Sequence, residues 1–258
     1  MRVQFASRND LEAYLRTMFP DAEGGLSPLR GGAAAANRVL EAFDAGKYAA
    51  TRNFLNGTVS RLSAYLRHGV LTLAGVRRHL LHKHRNLDRF LKFVQELAWR
   101  DYWQRVYAAE PDSIWHSAES LKTGRPESHY AAQLPADIQN ANTGLACMDA
   151  FVTELKTTGY LHNHARMWFA AYVVHFCRIR WQAGAAFFLS HLLDGDPASN
   201  NLSWQWVAST FSSKPYIFNK ENLEHYSSGT LCANCPSRKQ CPFDATYEDL
   251  SERLFPHV

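Results

Sequence analysis

The longest apolar stretch of the chain runs from Met167 to Phe176 and contains ten residues, including His175. A helix needs about 20 apolar residues to cross a bilayer, so this stretch is too short to span a membrane. An apolar run of this length is typical of a helix that is buried on all sides. The sequence therefore predicts a buried helix within a sizeable core, for which 258 residues are sufficient.

Other segments also show helical spacing. Glu96, Trp99 and Trp103 stand at i, i+3 and i+7, which places them on one face of a helix over residues 93–107. Similar patterns predict further helices at 10–19, at 33–43 with an end near Gly46, and before Gly159. No GxGxxG motif follows a strand pattern, which argues against a dinucleotide-binding α/β domain and against a nicotinamide cofactor. The predicted fold class is all-α.

Charge and targeting signals restrict the partners and the location. The net charge of +4 and the pI near 8.8 permit a nucleic-acid partner without requiring one. The basic run from Arg77 to Arg89 either contacts DNA phosphates or forms the solvated face of a helix. No apolar segment resembles a signal peptide, so the expected location is cytoplasmic, without membrane association.

Residues 194–216 combine chemistry that a plain core segment does not need. They contain two carboxylates, two adjacent amides, two tryptophans and an exit rich in Ser and Thr. The first four residues, DGDP, are typical of a turn, because Gly relieves the backbone and Pro restricts its own φ. From the residues alone, the segment is either a loop that caps a helix, with Trp204 and Trp206 packed in the core, or part of a binding site.

The cysteines indicate a metal site. Five cysteines is an odd number in a chain without a secretion signal, so disulfides are not expected. Cys232, Cys235 and Cys241 form the pattern C-x2-C-x5-C-P, and two thiolates at this close spacing bind one metal centre. Cys177 is expected to lie inside the apolar helix and to be a small buried hydrophobe.

Several motifs resemble those of the photolyase/cryptochrome family. The stretch from Asp194 follows the pattern DGD-x-x-x-NN-x-x-WQW-x-AST, which is similar to the flavin-binding signature of that family. The segments SRLS at 60–63, E-x-x-WR at 96–100 and HN-x-x-RM at 162–167 resemble further family motifs. The resemblance implies a helical FAD-binding catalytic domain over residues 31–258, preceded by a short helical and irregular segment over residues 1–30. The α/β antenna domain that most members carry is not expected.

The same resemblance implies a bent FAD, with its phosphates at the SRLS segment and its isoalloxazine near Arg166 and Asp194. Asn200 stands where the family tunes flavin N5. From the residues alone, Thr58 or Ser60 is also a candidate N-cap for a helix that begins near Leu62. The residues expected to bind FAD are Tyr48, Thr58, Ser60, Arg61, Leu62, Ser63, Arg100, Asn163, Arg166, Asp194, Asp196 and Asn200.

The family motifs also imply a substrate surface. Glu96, Trp99, Asn163 and Met167 are expected to contact a DNA lesion as the catalytic set, and their pattern favours a cyclobutane pyrimidine dimer. His164 replaces an arginine that contacts DNA phosphate in typical members, which favours single-stranded over duplex DNA.

Tryptophans and cysteines complete the expected redox groups. Trp204 and Trp181 match the inner and middle members of the family's electron-transfer chain. Trp115 is the candidate outer member, with Trp168 or Trp206 as other candidates. The alternative is that the three tryptophans are ordinary core residues. The cysteines resemble those of the iron–sulfur bacterial branch of the family. That resemblance implies a 4Fe-4S cluster, with zinc as the alternative, bound by Cys147, Cys232, Cys235 and Cys241.

The function implied is a light-driven DNA photolyase, a carbon–carbon lyase in which photoexcited reduced FAD donates an electron to the dimer in UV-damaged DNA. The alternative is a cryptochrome-like blue-light sensor that signals to a protein partner. A third hypothesis, a flavin and iron–sulfur electron carrier, is less favoured because no partner-docking motif is present.

Overall fold

The computed structural model of this protein describes residues 2–22, 24–84 and 86–256. Within these ranges the secondary structure is helical, and the single β-type pairing is an isolated bridge between Ala131 and Ile179. The predicted all-α class is therefore confirmed. The α-helices are α1 (Arg8–Met18), α2 (Ala33–Ala42), α3 (Ala45–Thr51), α4 (Ser63–Arg67), α5 (Leu73–His84), α6 (Leu91–Ala109), α7 (Ala136–Gln139), α8 (Ala146–Thr158), α9 (Asn163–Ala171), α10 (Trp181–His191), α11 (Pro197–Ala208), α12 (Lys220–Ser227) and α13 (Tyr247–Leu254).

The apolar run forms the buried helix that the sequence predicts. It makes up the second half of α9 and continues as a π-helix over Tyr172–Phe176. Trp168, Phe169 and the residues through His175 are buried. Cys177 differs from its prediction, because it follows the π-helix and is only half-buried. In the part of the chain that the structure describes, no helix is both long and apolar enough to cross a membrane.

Two hydrophobic cores surround the site. The larger core is formed mainly by α8, α9, α10 and α11, and the smaller core by α2, α4, α5 and the first half of α6. Helix α6 connects them, since Phe93 and Leu97 lie in the smaller core while the helix also packs against α11. A ligand between the two cores is therefore enclosed by elements that are distant in sequence.

Local turns differ from the sequence-based expectation in two places. Gly46, expected to end a helix, lies inside α3, because Asp44 caps that helix by accepting from the Gly46 N–H at 3.1 Å. Helix α4 begins at Ser63 without any side-chain cap, so neither Thr58 nor Ser60 plays the predicted capping role. In the basic run over 77–89, Arg77 and Arg78 are exposed on α5, whereas Arg85 lies outside the described residues.

Candidate functional site

A pocket of about 320 Å³ lies between the two cores. This volume falls within the range of about 300–1,000 Å³ that is typical of small-molecule and cofactor sites. Helices α3, α4, α6, α9, α10 and α11 contribute to its wall. The predicted residues that line it are Tyr48, Ser60, Arg61, Ser63, Glu96, Trp99, Arg100, Asn163, Met167, Arg166, Asp194, Asp196, Asn200 and Trp204.

A buried ion pair lies in the pocket wall. The Nη2 of Arg166 is 3.1 and 2.9 Å from the two carboxylate oxygens of Asp194, and its Nε donates to the carbonyl of Leu161 at 2.8 Å. Burial by itself would raise the pKa of Asp194, which is only 7% exposed. The charge of Arg166 and hydrogen bonds from Ser63 and Arg166 outweigh burial and hold the pKa of Asp194 below its usual range. Asp194 is therefore ionised at neutral pH.

Asp196 organises the start of α11. Its Oδ1 accepts from the backbone N–H of Ser199 at 2.8 Å, which makes it the N-cap of that helix. Its carboxylate also accepts from Gln104 Nε2, 2.7 Å from each oxygen, and lies 3.4 Å from Arg100 Nη2. In the next turn, the Asn200 amide donates to the carbonyl of Ala185 at 3.1 Å, which ties α11 to α10.

The segment before α4 forms a further part of the pocket wall. Arg61 has a positive φ of 51°, the left-handed conformation, and Leu62 follows with φ −90° and ψ −8°. Successive residues of this kind turn their backbone N–H groups toward one side, which creates a concave anion site. The guanidinium of Arg61 lies 4.8 Å from the ring centroid of Tyr160, and that of Arg166 lies 5.8 Å from the same ring.

Two predicted members of this segment do not line the pocket. The side chain of Leu62 has no exposed surface and packs in the smaller core, so only its backbone faces the anion site. Thr58 is turned toward α3, where its N–H donates to the Thr51 hydroxyl at 3.0 Å. Gly57 makes this tight return possible, because a Cβ at that position would lie 1.9 Å from the carbonyl oxygen of Thr51.

Helix α6 presents the predicted catalytic residues at the pocket mouth. Trp99 is 49% exposed and stacks on Trp103 with ring centroids 5.1 Å apart. Glu96 does not pair with Arg100, four residues on; instead its Oε1 lies 2.9 Å from Arg52 Nη1 and 3.2 Å from Lys92 Nζ. The glutamate is thus held in place by two cations and remains at the pocket surface.

Neighbouring residues complete this mouth. On α9, the Asn163 amide lies 3.7 Å from the sulfur of Met167. Tyr48 packs edge-on against Phe93 at 5.1 Å between ring centroids. Burial, with a smaller contribution from the charge of Glu96, raises the pKa of Tyr48, so this phenol is protonated at neutral pH.

The three predicted redox tryptophans lie at different depths. Trp204 is 3% exposed, lines the pocket, and packs so closely on Gly184 of α10 that a Cβ there would lie 2.2 Å from the indole. Trp181, the first residue of α10, is also 3% exposed, and its indole N–H donates to the Ser117 hydroxyl at 3.1 Å. Trp115 lies on the surface two residues before Ser117 and is 44% exposed.

The four predicted metal-ligating cysteines line one small cavity of about 10 Å³. They come from α8 and from the segment before α13, far apart in sequence. Burial, together with the neighbouring thiols, raises the pKa of Cys147, and burial raises that of Cys232 to about 11. Among the described residues, however, no three His, Cys, Asp or Glu side chains are arranged as they would be around a metal ion.

Sequence reasoning missed several residues that line the pocket or hold its acidic side chains. Arg52 and Gln104 orient the acidic groups across long sequence separations, and no local motif indicates such contacts. Tyr160, the residue after Gly159, also lines the pocket. Ser199 lines the pocket with a buried hydroxyl that has no hydrogen-bond partner among the described residues.

The chain is similar in sequence to known proteins. Residues 93–228, just over half of the chain, match the family described as the FAD binding domain of DNA photolyase. The deoxyribodipyrimidine photo-lyase of Streptomyces griseus is 37% identical over 157 residues, which cover 58% of this chain and 32% of that protein. Its counterpart in Escherichia coli strain K12 is 37% identical over 184 residues, which cover 68% of this chain and 39% of that protein. The chain thus spans between about a third and two fifths of the length of these curated relatives.

Solved structures agree on the fold. A class III photolyase from Agrobacterium tumefaciens superposes with a TM-score of 0.69 at 21% identity, covering 98% of this chain and 58% of that one. A cryptochrome from Synechocystis superposes with a TM-score of 0.70 at 21% identity, covering 93% of this chain and 52% of that one. These likenesses show that the helical architecture is shared.

Proposed function

This chain belongs to the family of photolyase FAD-binding domains, and on that premise we propose that it is a light-driven DNA photolyase that splits cyclobutane pyrimidine dimers. One observation carries the proposal. The residues that resemble the flavin motifs and those that resemble the lesion motifs come from separate segments, yet they line a single pocket. A photolyase needs this arrangement, because the electron donor and the dimer have to lie close together.

The pocket residues fit FAD. The backbone turn at Arg61 suits a phosphate, and the unpartnered hydroxyl of Ser199 suits a hydrogen bond to a polar ligand. Phe188, Leu192 and other apolar side chains that line the pocket suit a flat aromatic ring. When bound, reduced flavin would supply the electron after absorbing blue light. The protein would bind it, with the Arg166–Asp194 pair beside the ring system, and exclude water from it.

The mouth of the pocket would hold the extruded dimer. Trp99 presents a half-exposed aromatic face on which a pyrimidine can stack. Glu96, positioned by Arg52 and Lys92, would accept hydrogen bonds from the dimer, while Asn163 and Met167 would contact it from α9. A damaged base is already poorly paired, which lowers the cost of flipping it out.

The position of His164 supports a preference for single-stranded DNA. Its ring is only 8% exposed, stacks on Trp168 at 4.2 Å, and bonds through Nδ1 to the carbonyl of Asn53 at 2.8 Å. Burial lowers the pKa of His164, so the ring is neutral at pH 7. It therefore offers neither the charge nor the access of an arginine that binds a duplex phosphate.

For electron supply from the surface, the proposed path runs from Trp204 through Trp181 toward Trp115. Trp204 lies in the pocket wall and Trp115 on the surface. The buried Trp181 stands three residues before Gly184, which contacts Trp204, and its indole donates to Ser117, two residues after Trp115. This route would restore the reduced flavin between turnovers.

We also propose that the four clustered cysteines bind a 4Fe-4S cluster that ties the C-terminal segment to α8. Their convergence on one cavity supports metal binding, since four thiolates are a sufficient ligand set for a cluster or for zinc. The C-x-x-C…C-P pattern favours the cluster, whereas the small size of the cavity would suit a single zinc ion. Among the described residues the thiols are not arranged around a metal ion, so they would have to reorient to bind the cluster.

Metal analysis of the protein purified without oxygen tests this site. We expect iron and acid-labile sulfide in similar amounts and a broad absorption band, both lost in Cys147→Ala. The matched control is Cys177→Ala, which removes a half-buried thiol outside the cavity and should retain the metal. Zinc in place of iron would replace the cluster by a structural zinc site, and the absence of both metals would refute the proposal.

The decisive test of function is repair. Reduced protein would be mixed with a thymine oligonucleotide containing a dimer, as a single strand and as a duplex, and illuminated with blue light beside a dark control. We expect thymine absorbance to recover in the light, faster on the single strand. A protein that binds and photoreduces FAD without repairing either form would instead be a light sensor of the cryptochrome type with a protein partner. If the protein repairs either form of DNA, we expect it to be located in the cytoplasm, where the DNA is.

A further inference from the structure

Two basic side chains at the end of α4 hold the backbone on either side of Asp194. Arg67, the last residue of the helix, donates from Nε to the carbonyl of Gly195 at 2.7 Å. His68, the next residue, lies with Nε2 2.9 Å from the carbonyl of Leu193, and so carries its proton on that nitrogen. Neither side chain lines the pocket.

A third contact joins the same two elements. Ser63, the first residue of α4, lines the same pocket as Asp194 and helps to lower the pKa of that carboxyl group. Ser63 and Arg67 are four residues apart, so they lie on one face of the helix. Helix α4 therefore contacts the acidic turn, which we define as residues 192–196, at the side chain of Asp194 and at both flanking carbonyls.

The acidic turn is fixed from its other side as well. The N–H of Leu193 donates to the carbonyl of Gly159 at 2.9 Å, and Leu193 lies so near that a Cβ on Gly159 would be 2.6 Å from its Cγ. The turn is thus held between the end of α8 and the last turn of α4. Arg67 and His68 are exposed, and we call this pair the clamp.

We propose that Arg67 and His68 are positioning residues that set the distance between the anion site at 60–63 and the acidic turn. This inference rests on the proposed function, in which one FAD molecule contacts both the anion site and the acidic turn. A ligand that bridges two subsites binds more tightly when they are held at the correct separation beforehand. Loss of the two hydrogen bonds should therefore weaken FAD binding by about tenfold, equivalent to about 1.4 kcal/mol.

The test compares FAD dissociation constants by flavin fluorescence. The variant is Arg67→Ala/His68→Ala, and the matched control is Arg78→Ala/His82→Ala, which removes the same residue types from exposed positions of α5. We expect the dissociation constant to rise about tenfold in the first variant and to stay unchanged in the control. Arg67→Lys/His68→Gln keeps a donor at position 68 and should recover part of the loss.

A double-mutant cycle separates positioning from a general loss of structure. If the clamp acts through Asp194, its removal should have little further effect on FAD affinity in an Asp194→Asn background. The inference would be overturned if Arg67→Ala/His68→Ala weakened FAD binding equally in both backgrounds, or if it left FAD affinity unchanged. In either case the proposed function would stand as long as the wild-type protein binds FAD. A wild-type protein that binds no FAD would refute the proposed function, and this inference with it.

Discussion

Replacing Arg166 by methionine removes the cation that faces Asp194, a buried acidic side chain of the pocket. Asp194 is 7% exposed, and in the variant it would keep the Ser63 hydroxyl but lose both contacts to Arg166. The Leu161 carbonyl would also lose its donor. Methionine is similar in length and apolar, so the change isolates the charge and the hydrogen bonds.

Removing one partner of a buried ion pair costs about 3–5 kcal/mol, because an uncompensated charge stays behind. The remaining Ser63 contact places the expected loss near the lower end, about 3 kcal/mol. For a domain of this size, about 2–4 °C is lost per kcal/mol, so the melting midpoint should fall by about 6–12 °C.

The sign of the pH dependence follows from Asp194. In the native protein its pKa lies below the unfolded value, so its stabilising contribution is present above the unfolded pKa and is lost as the pH falls through the folded pKa. Without Arg166, burial would dominate and raise the pKa of Asp194 above the unfolded value. The deficit of Arg166→Met should therefore be largest at pH 7 and should shrink as the pH falls toward 4.

Urea unfolding of the flavin-free protein at several pH values would measure these effects. Arg166→Met/Asp194→Asn is the control, because it removes the buried charge together with its partner and should recover part of the stability. A loss below about 1 kcal/mol at pH 7, or a deficit independent of pH, would show that the pair is effectively solvated and would refute this reasoning.

Two further substitutions test the pocket. Gly184→Ala places a methyl group 2.2 Å from the Trp204 indole, so we expect a loss of about 1–3 kcal/mol and altered tryptophan fluorescence, whereas Gly31→Ala, with open space around it, should change neither. Unchanged fluorescence in Gly184→Ala would contradict the close packing. Glu96→Gln keeps the size of the side chain but removes the charge held by Arg52; it should lower repair by about tenfold while FAD binding is unaffected, measured as light-dependent repair rate and flavin content. If flavin content fell as much as the repair rate, Glu96 would contact the cofactor and not the substrate.

Local patterns in the sequence predicted several of the helices, and the resemblance of its motifs to the photolyase/cryptochrome family predicted much of the pocket composition. The periodicity of α6, the apolar run of α9 and Gly159 at the end of α8 all depend on neighbours within one or two turns, so they were predictable from the chain alone. The motifs around Asp194 and Glu96 are similarly local. The residues of these motifs could therefore be chosen without knowing how the helices pack.

Contacts between distant segments were decided only by the tertiary structure. The pairing of Glu96 with Arg52, rather than with Arg100 on the same helix, depends on how α3 packs against α6. The burial of His164 likewise depends on Trp168 and on the carbonyl of Asn53, which is far away in sequence. No spacing rule carries this information, because side chains on one helix have several possible partners and packing selects among them.

The sequence by itself therefore determined an all-α chain with flavin-type motifs and a set of cysteines able to bind a metal. The tertiary structure decided that the motifs share one pocket, that the cysteines meet in one cavity, and that Arg67 and His68 hold the turn carrying Asp194. The physical reason is range. Helix formation depends on interactions between near neighbours, whereas a site depends on the packing of segments that the chain brings together only when it folds.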